Sequence, residues 1–234
     1  PISLDFESAV AMLEAVEKAG VRTSVCFEAR FISVARSMKS IIDQGLIGDP
    51  YYAECDYFHG IGPWYDQYAW NIKKDMGGSS LLTAGCHSVD MMLYLLGLKA
   101  EEVFSYSTTN PHEAYKPYEY DTTSLTTIKF EGGKMLGKVA SLTDCMQPYV
   151  FNMNMVGSPG SLKNDLFYSK KIDGMEGWAK LDVQLVDSGD VEHHPYREQF
   201  NYYAECLEKD IDGHNSLANA FETHRVVCAA DQSA

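Results

Sequence analysis

From residue 100 onward, stretches with strand character follow one another, and most connections between them are too short to carry the chain back across a sheet. Alternating, β-branched and aromatic runs fall at residues 102–108, 122–130, 134–142 and 149–156, with a later one at 180–186. Glu131-Gly132-Gly133 is a hairpin signal between two of them, and Gly157-Ser158-Pro159-Gly160 is a turn. Parallel neighbours need a crossover of about a dozen residues or more, so strands in series imply a largely antiparallel sheet. Two helical patterns close the chain, at 196–209 and 216–233. Helices gathered on one face of such a sheet make an α+β domain.

The first 45 residues have a different rhythm. Phe6, Val10, Leu13 and Val16 recur at helical spacing behind Ser3 as N-cap, with Asp5 and Glu7 in the first turn and Gly20 at the stop. A strand-like run at 21–27 and a helix at 32–44 follow, giving an α/β order: helix, strand, helix. A strand is expected at 51–57, then an irregular aromatic stretch with Tyr57, Phe58, Trp64, Tyr65, Tyr68 and Trp70, then a helix at 79–96 introduced by Gly77-Gly78 and stopped by Gly97.

Composition excludes several classes. Hydrophobic residues make up 45% of the 234 and charged residues 22%, which are globular values. No apolar run approaches the ~18 residues of a membrane span; residues 91–96 are the densest stretch. A net charge of −14 with no basic cluster excludes a nucleic-acid surface. The six cysteines have no CxxC spacing, so free thiols in the cytoplasm are expected rather than disulfides. A metal site is not expected: neighbours such as His193 and His194 point to opposite faces of a strand, and no HExxH or His/Cys ligand spacing occurs. The chain starts Pro1-Ile2-Ser3 without methionine and stops in what reads as mid-helix, so a piece of a longer protein is expected.

Two segments can carry chemistry. On the helix at 79–96, Thr83, His87 and Asp90 fall within about 60° of one another at about 100° per residue. A histidine with a carboxylate one turn on is a workable proton-transfer group; the same spacing also fits an exposed pair on a solvated face. In the aromatic loop, Trp64 and Trp70 could stack on sugar rings, and the same residues fit ordinary packing or an oligomer contact. Arg30 suits either an anion site or the surface. No GxSxG or GxGxxG is present.

The histidine helix resembles the glucose–fructose oxidoreductase/inositol dehydrogenase/MocA family of NAD(P)-dependent oxidoreductases. The resemblance lies in Gly77-Gly78 with Gly85-Cys86-His87-Ser88-Val89-Asp90. Further marks follow in the family's order: Pro1-Ile2-Ser3-Leu4 after a Glu-Lys-Pro motif, Phe27-Glu28-Ala29-Arg30-Phe31, Ile42-Asp43-Gln44-Gly45-Leu46-Ile47-Gly48, Val156-Gly157-Ser158-Pro159-Gly160-Ser161-Leu162 and Ala229-Ala230-Asp231-Gln232-Ser233-Ala234.

The resemblance implies a large, open, mainly antiparallel sheet of the dihydrodipicolinate-reductase-like C-terminal type. It makes residues 1–27 the last helix and strand of a Rossmann domain and 28–234 a domain for substrate binding and oligomerisation, as a homodimer or homotetramer through the sheet face. It implies NAD or NADP as cofactor, bound mostly by residues upstream, and a sugar, polyol or related small molecule as substrate. His87 and Thr83 take the catalytic positions and Asp90 that of a substrate-contacting or histidine-orienting carboxylate; Arg30, Trp64 and Trp70, singled out above from the residues themselves, are expected toward the same substrate. Thr83 stands where the family has an aspartate, and threonine cannot take up a proton at neutral pH. The resemblance puts the Gly-rich loop, the ribose-binding carboxylate and the catalytic lysine upstream of Pro1, so the chain alone is expected to be inactive. The alternatives are a sugar-binding or dimerising module that has lost the chemistry, and redox-assisted glycoside cleavage on the same domain.

Overall fold

The computed structural model describes residues 2–186 and 194–234; Pro1 and His193 lie outside it. Its frame is one eight-stranded sheet in the order β2-β3-β4-β1-β5-β6-β7-β8. The strands are β1 (Pro50–Phe58), β2 (Ala100–Thr108), β3 (Thr123–Phe130), β4 (Leu136–Leu142), β5 (Val150–Gly157), β6 (Gly160–Lys163), β7 (Leu166–Ser169) and β8 (Ala179–Lys180). Every neighbouring pair is antiparallel except β1 with β4, which run parallel from Tyr52 opposite Leu136 to Phe58 opposite Leu142. That pair is joined by the long segment 59–135, which holds two helices and two strands and so has the length a crossover requires.

The helices are α1 (Phe6–Ala19), α2 (Ser33–Asp43), α3 (Tyr68–Asn71), α4 (Cys86–Leu96), α5 (Tyr196–Glu208) and α6 (Leu217–Ser233). α4 packs on β1 and β4, α6 on β2, and α1 and α2 pack behind them on α6 and α4. Alternation along the strands sends Cys55, Ile128, Val139 and Met153 into the core beneath these helices. The opposite face carries no helix among the described residues. It exposes Phe104, Tyr106, Leu125 and Leu136. Beside them Lys138 Nζ lies 3.0 Å from both Glu54 and Asp56, and Asn152 and Asn154 donate to the same two carboxylates.

Local differences from the sequence pattern have local causes. Asp5, not Ser3, caps α1: its carboxylate accepts the Ser8 N–H at 2.7 Å, while Ser3 Oγ turns to the Asp5 carbonyl and His224. Residues 21–27 form no strand, because no ladder partner lies beside them; the Val25 N–H instead donates to the Asn215 carbonyl at 2.8 Å. Of the run at 180–186 only its first residue pairs, with Lys180 opposite Leu166. The helix expected at 79–96 opens with one wide π turn, Leu81–Gly85, before the regular α4. Gly85 lets that turn press on β4, since a Cβ there would sit 2.4 Å from Ser141.

One charged cluster lies inside this packing. Arg30 and Asp90 are 2% and 1% exposed. The guanidinium grips the carboxylate with two nitrogens, Nε at 2.7 Å from Oδ2 and Nη2 on Oδ1. Thr223 donates to Oδ1 at 2.9 Å, and Arg30 Nη1 donates to Asn219 Oδ1 at 2.7 Å and to the His214 carbonyl. Phe27 and Tyr94 present their rings to the cation at 5.4 and 5.2 Å. The 3₁₀ turn Glu28–Phe31, α4, α6 and the segment before α6 are thereby tied together.

Two outcomes follow from this cluster. Asp90→Asn leaves the Arg30 charge buried without its counter-ion and should cost about 3–5 kcal/mol of stability in denaturant titration; a loss below ~0.5 kcal/mol would show the pair to be dispensable. His214, stacked on Tyr202 at 4.4 Å, is lowered to about 4, by burial first and by Arg30 second. An unfolded histidine titrates near ~6.5. The folded chain therefore binds fewer protons than the unfolded one in that window, and stability falls as pH drops through it. Asp231, pushed up to about 6 by burial, acts in the opposite direction, but equally in both proteins of a comparison. The denaturation midpoint of wild type should thus drop relative to His214→Phe between pH 7 and pH ~4.5, and a constant difference would refute the assignment.

Candidate functional site

The cleft that holds His87 has a volume of about 320 Å³ and forms where the 25–28 segment, the end of β1, the aromatic loop, the π turn and the segment entering α5 meet. Its size is within the range of small-molecule sites. His87 sits on the first turn of α4, and its ring stacks on Tyr57 of β1 at 5.6 Å and meets the edge of Phe27 at 6.1 Å. Its Nδ1 is buried without a hydrogen-bond partner among the described residues. The nearest charge to Nδ1 is Glu28 Oε1 at 3.9 Å, and the same oxygen lies 3.3 Å from Nδ1 of His194. Glu28 is only 5% exposed.

The neighbouring groups hold their protons. Burial pushes the Tyr57 and Tyr149 phenols well above their ordinary range, so both are donors rather than bases at neutral pH. Cys26, whose Sγ is 3.8 Å from Glu28 Oε2, is raised to about 11 by burial and by that carboxylate. A thiolate nucleophile there is excluded at neutral pH. Among the described residues no lysine or arginine lines the cleft. Among the described residues no group of three His, Cys, Asp or Glu side chains is spaced to hold a metal ion, and no helix is long and apolar enough to cross a membrane.

The residues singled out from sequence separate into two sets. His87, Thr83 and Trp70 line the cleft together. Thr83 Oγ1 donates to Asn71 Oδ1 at 2.7 Å, and Asn71 is itself held by the Gln67 carbonyl at 2.9 Å. Asp90 and Arg30 face the interior and satisfy each other, so Asp90 does not orient His87 and Arg30 offers no free charge to an anion. Trp64 is 59% exposed, donates to the Gly60 carbonyl at 3.0 Å and lines no part of the cleft. The π turn separates Thr83 from the α-helical register beyond it, so the single polar stripe drawn at 100° per residue does not exist.

Sequence reasoning passed over Glu28, His194, Tyr196 and Asn71 as site residues, and Tyr57 enters it only as the first residue of the aromatic loop. Glu28 had a usable signal, an acid between aromatic and small residues within Phe27-Glu28-Ala29-Arg30-Phe31. His194 and Tyr196 arrive from a distant segment and leave no local mark.

The profile of the GFO/IDH/MocA C-terminal domain matches residues 35–163, more than half of the chain. The chain belongs to the GFO/IDH/MocA family. A myo-inositol 2-dehydrogenase of Thermotoga maritima is 26% identical over 166 residues, 70% of this chain and 47% of that protein. An uncharacterized oxidoreductase of Bacillus subtilis, YrbE, is 24% identical over 165 residues, 70% of this chain and 46% of that protein. The chain therefore spans about half the length of the curated relatives it matches. The fold is shared with an NAD binding oxidoreductase from Klebsiella pneumoniae at a TM-score of 0.81 and 20% identity, covering 100% of this chain and 70% of that one. In this GFO/IDH/MocA domain the position where the resemblance places an aspartate is Thr83, already engaged with Asn71.

Proposed function

We propose that the chain is the substrate-binding part of a nicotinamide-dependent oxidoreductase acting on a sugar, polyol or related hydroxy compound, with His87 as the proton carrier. The observation that carries this reading is the placement of His87: one nitrogen buried, the ring clamped between Tyr57 and Phe27, and the rest facing a cleft of substrate size. Aromatic walls with polar tips suit the faces and hydroxyls of a sugar ring. A lining without lysine or arginine among the described residues favours a neutral substrate over a phosphorylated or acidic one. The same lining offers no cradle for a pyrophosphate, so the residues here serve the substrate rather than the cofactor's phosphates. Val25, Cys26 and Phe27, which resemble the end of the last Rossmann strand, form one wall, which supports reading the cleft as the side that faces a nucleotide-binding half.

The chemistry asked of this chain is small. As a substrate C–OH becomes C=O, the hydroxyl proton passes to Nε2 of His87, the nitrogen not buried. A bound nicotinamide would supply the acceptor for the hydride and its electron pair. Thr83 contributes a hydroxyl oxygen that can still accept a hydrogen bond. In the full-length protein, assayed on a panel of polyols and aldoses that includes myo-inositol with either nicotinamide, His87→Gln should lower kcat by about 10²–10⁴-fold with little change in KM. An unchanged kcat would remove His87 from the reaction.

The uncovered sheet face supports self-association. Phe104, Tyr106, Leu125 and Leu136 make an exposed apolar area beside a strip whose charges are paired within the chain. We read it as the face on which two copies meet. Sedimentation of the full-length protein should give a dimer, and Leu125→Glu combined with Phe104→Glu a monomer; a wild-type monomer at high concentration would overturn this.

A further inference from the structure

The mechanism proposed above leaves one buried acid without a role. Glu28 begins the 3₁₀ turn held by Arg30, lies almost wholly out of solvent, and lines the floor of the cleft. No lysine or arginine is paired with it among the described residues. Cys26 Sγ lies 3.8 Å from its Oε2, and two imidazole nitrogens face its Oε1, Nδ1 of His194 at 3.3 Å and Nδ1 of His87 at 3.9 Å. A buried carboxylate is costly unless something compensates its charge or hydrogen-bonds to it. A buried Nδ1 with no acceptor is costly for the same reason. Oε1 of Glu28 is the acceptor that the buried Nδ1 lacks, and a shift of about one ångström in the Glu28 side chain would close the hydrogen bond. Such contacts are often long in the unliganded site and tighten when substrate binds.

We infer that Glu28 is the positioning carboxylate of His87: it accepts the Nδ1 proton, keeps Nε2 unprotonated and turned to the cleft, and balances the imidazolium formed when Nε2 takes the substrate's hydroxyl proton. The balance is simple. The O–H bond of the substrate breaks, an Nε2–H bond forms, the ring gains one positive charge, and Glu28 stays ionised beside it. This is the role that sequence spacing suggested for Asp90, which is occupied instead by Arg30 and Thr223. It also supplies a negative charge near the histidine in a chain where Thr83 can supply none. The groups facing His87 from each side are Glu28 on the 3₁₀ turn, Tyr57 on β1, Cys26 before the turn, and His194 with Tyr196 at the entrance to α5. Of these, Tyr57, Cys26 and Tyr196 hold their protons because burial raises each, and Glu28 is the carboxylate of the group.

The inference rests on reading His87 as the proton carrier, and its test does not depend on turnover. In full-length protein with ¹⁵N-labelled histidine, the His87 signals are identified by their loss in His87→Gln. The neutral ring of wild type should be the Nδ1–H tautomer, a measurement that needs no Glu28 variant. Glu28→Gln keeps the shape of the side chain and removes its charge, so the His87 titration midpoint should fall by about one pH unit. Glu28→Asp should restore part of that shift. An Nε2–H tautomer in wild type, or an unmoved midpoint in a folded Glu28→Gln protein, would overturn the pairing. If the tautomer and midpoint behave as stated while His87→Gln retains full kcat, the pairing stands and the proposed proton-carrier role falls.

Discussion

A single buried ion pair determines where the cleft's parts stand. Arg30 reaches from a short 3₁₀ turn to Asp90 on α4, and its remaining donor bonds to Asn219 on α6 and to the chain entering that helix. Burying two charges is expensive, and the pair is tolerable because nearly every donor and acceptor on it is satisfied. The turn that presents Glu28 and the helix that presents His87 are the two ends of this connection. The geometry of the cleft is thus set a few ångströms behind it, by residues that never meet a substrate.

Much of the architecture is legible in the chain because it depends on local chemistry. The hairpin at Gly132-Gly133, the alternation in β3 and β5, and the helical periods of α2, α5 and α6 each reflect a face that must be buried or wet. What is not legible is non-local. The parallel pairing of β1 with β4 depends on two segments far apart in sequence. The run at 21–27 has every property of a strand except a neighbour to pair with. The short hairpin of β6 and β7 turns at Asn164, whose φ of 51° places it in the left-handed region that Asn tolerates, a signal too small to stand out.

The site divides in the same way. Thr83, His87 and Trp70 were visible because helix spacing and aromatic crowding are local patterns. Asp90 stands out by its spacing from His87 and Arg30 by its place just past the 21–27 run, but polar chemistry on a sequence does not say which partner a charge will find. Here the two charges found each other. The π turn Leu81–Gly85 then decided which side chains share the cleft, and wide turns of this kind recur at functional places in helices.

The position of β1 bears on how the chain reaches this structure. β1 is a central strand, yet both its partners are made long after it, β4 ending at Leu142 and β5 at Gly157. Until those residues emerge, both edges of β1 present unpaired backbone groups, and its aromatic residues have no sheet to lie in. β2, β3 and β4 can pair in sequence, but the meander stays separate from β6 and β7 until β1 and β5 are inserted between them. Sheets closed by such distant pairings form slowly, because the loop must be ordered before its contacts repay the cost. Intermediates with open strand edges are the species most exposed to aggregation. Assembly of the sheet is therefore a late event, and the cleft, one wall of which is Tyr57 at the end of β1, forms only when that event is complete.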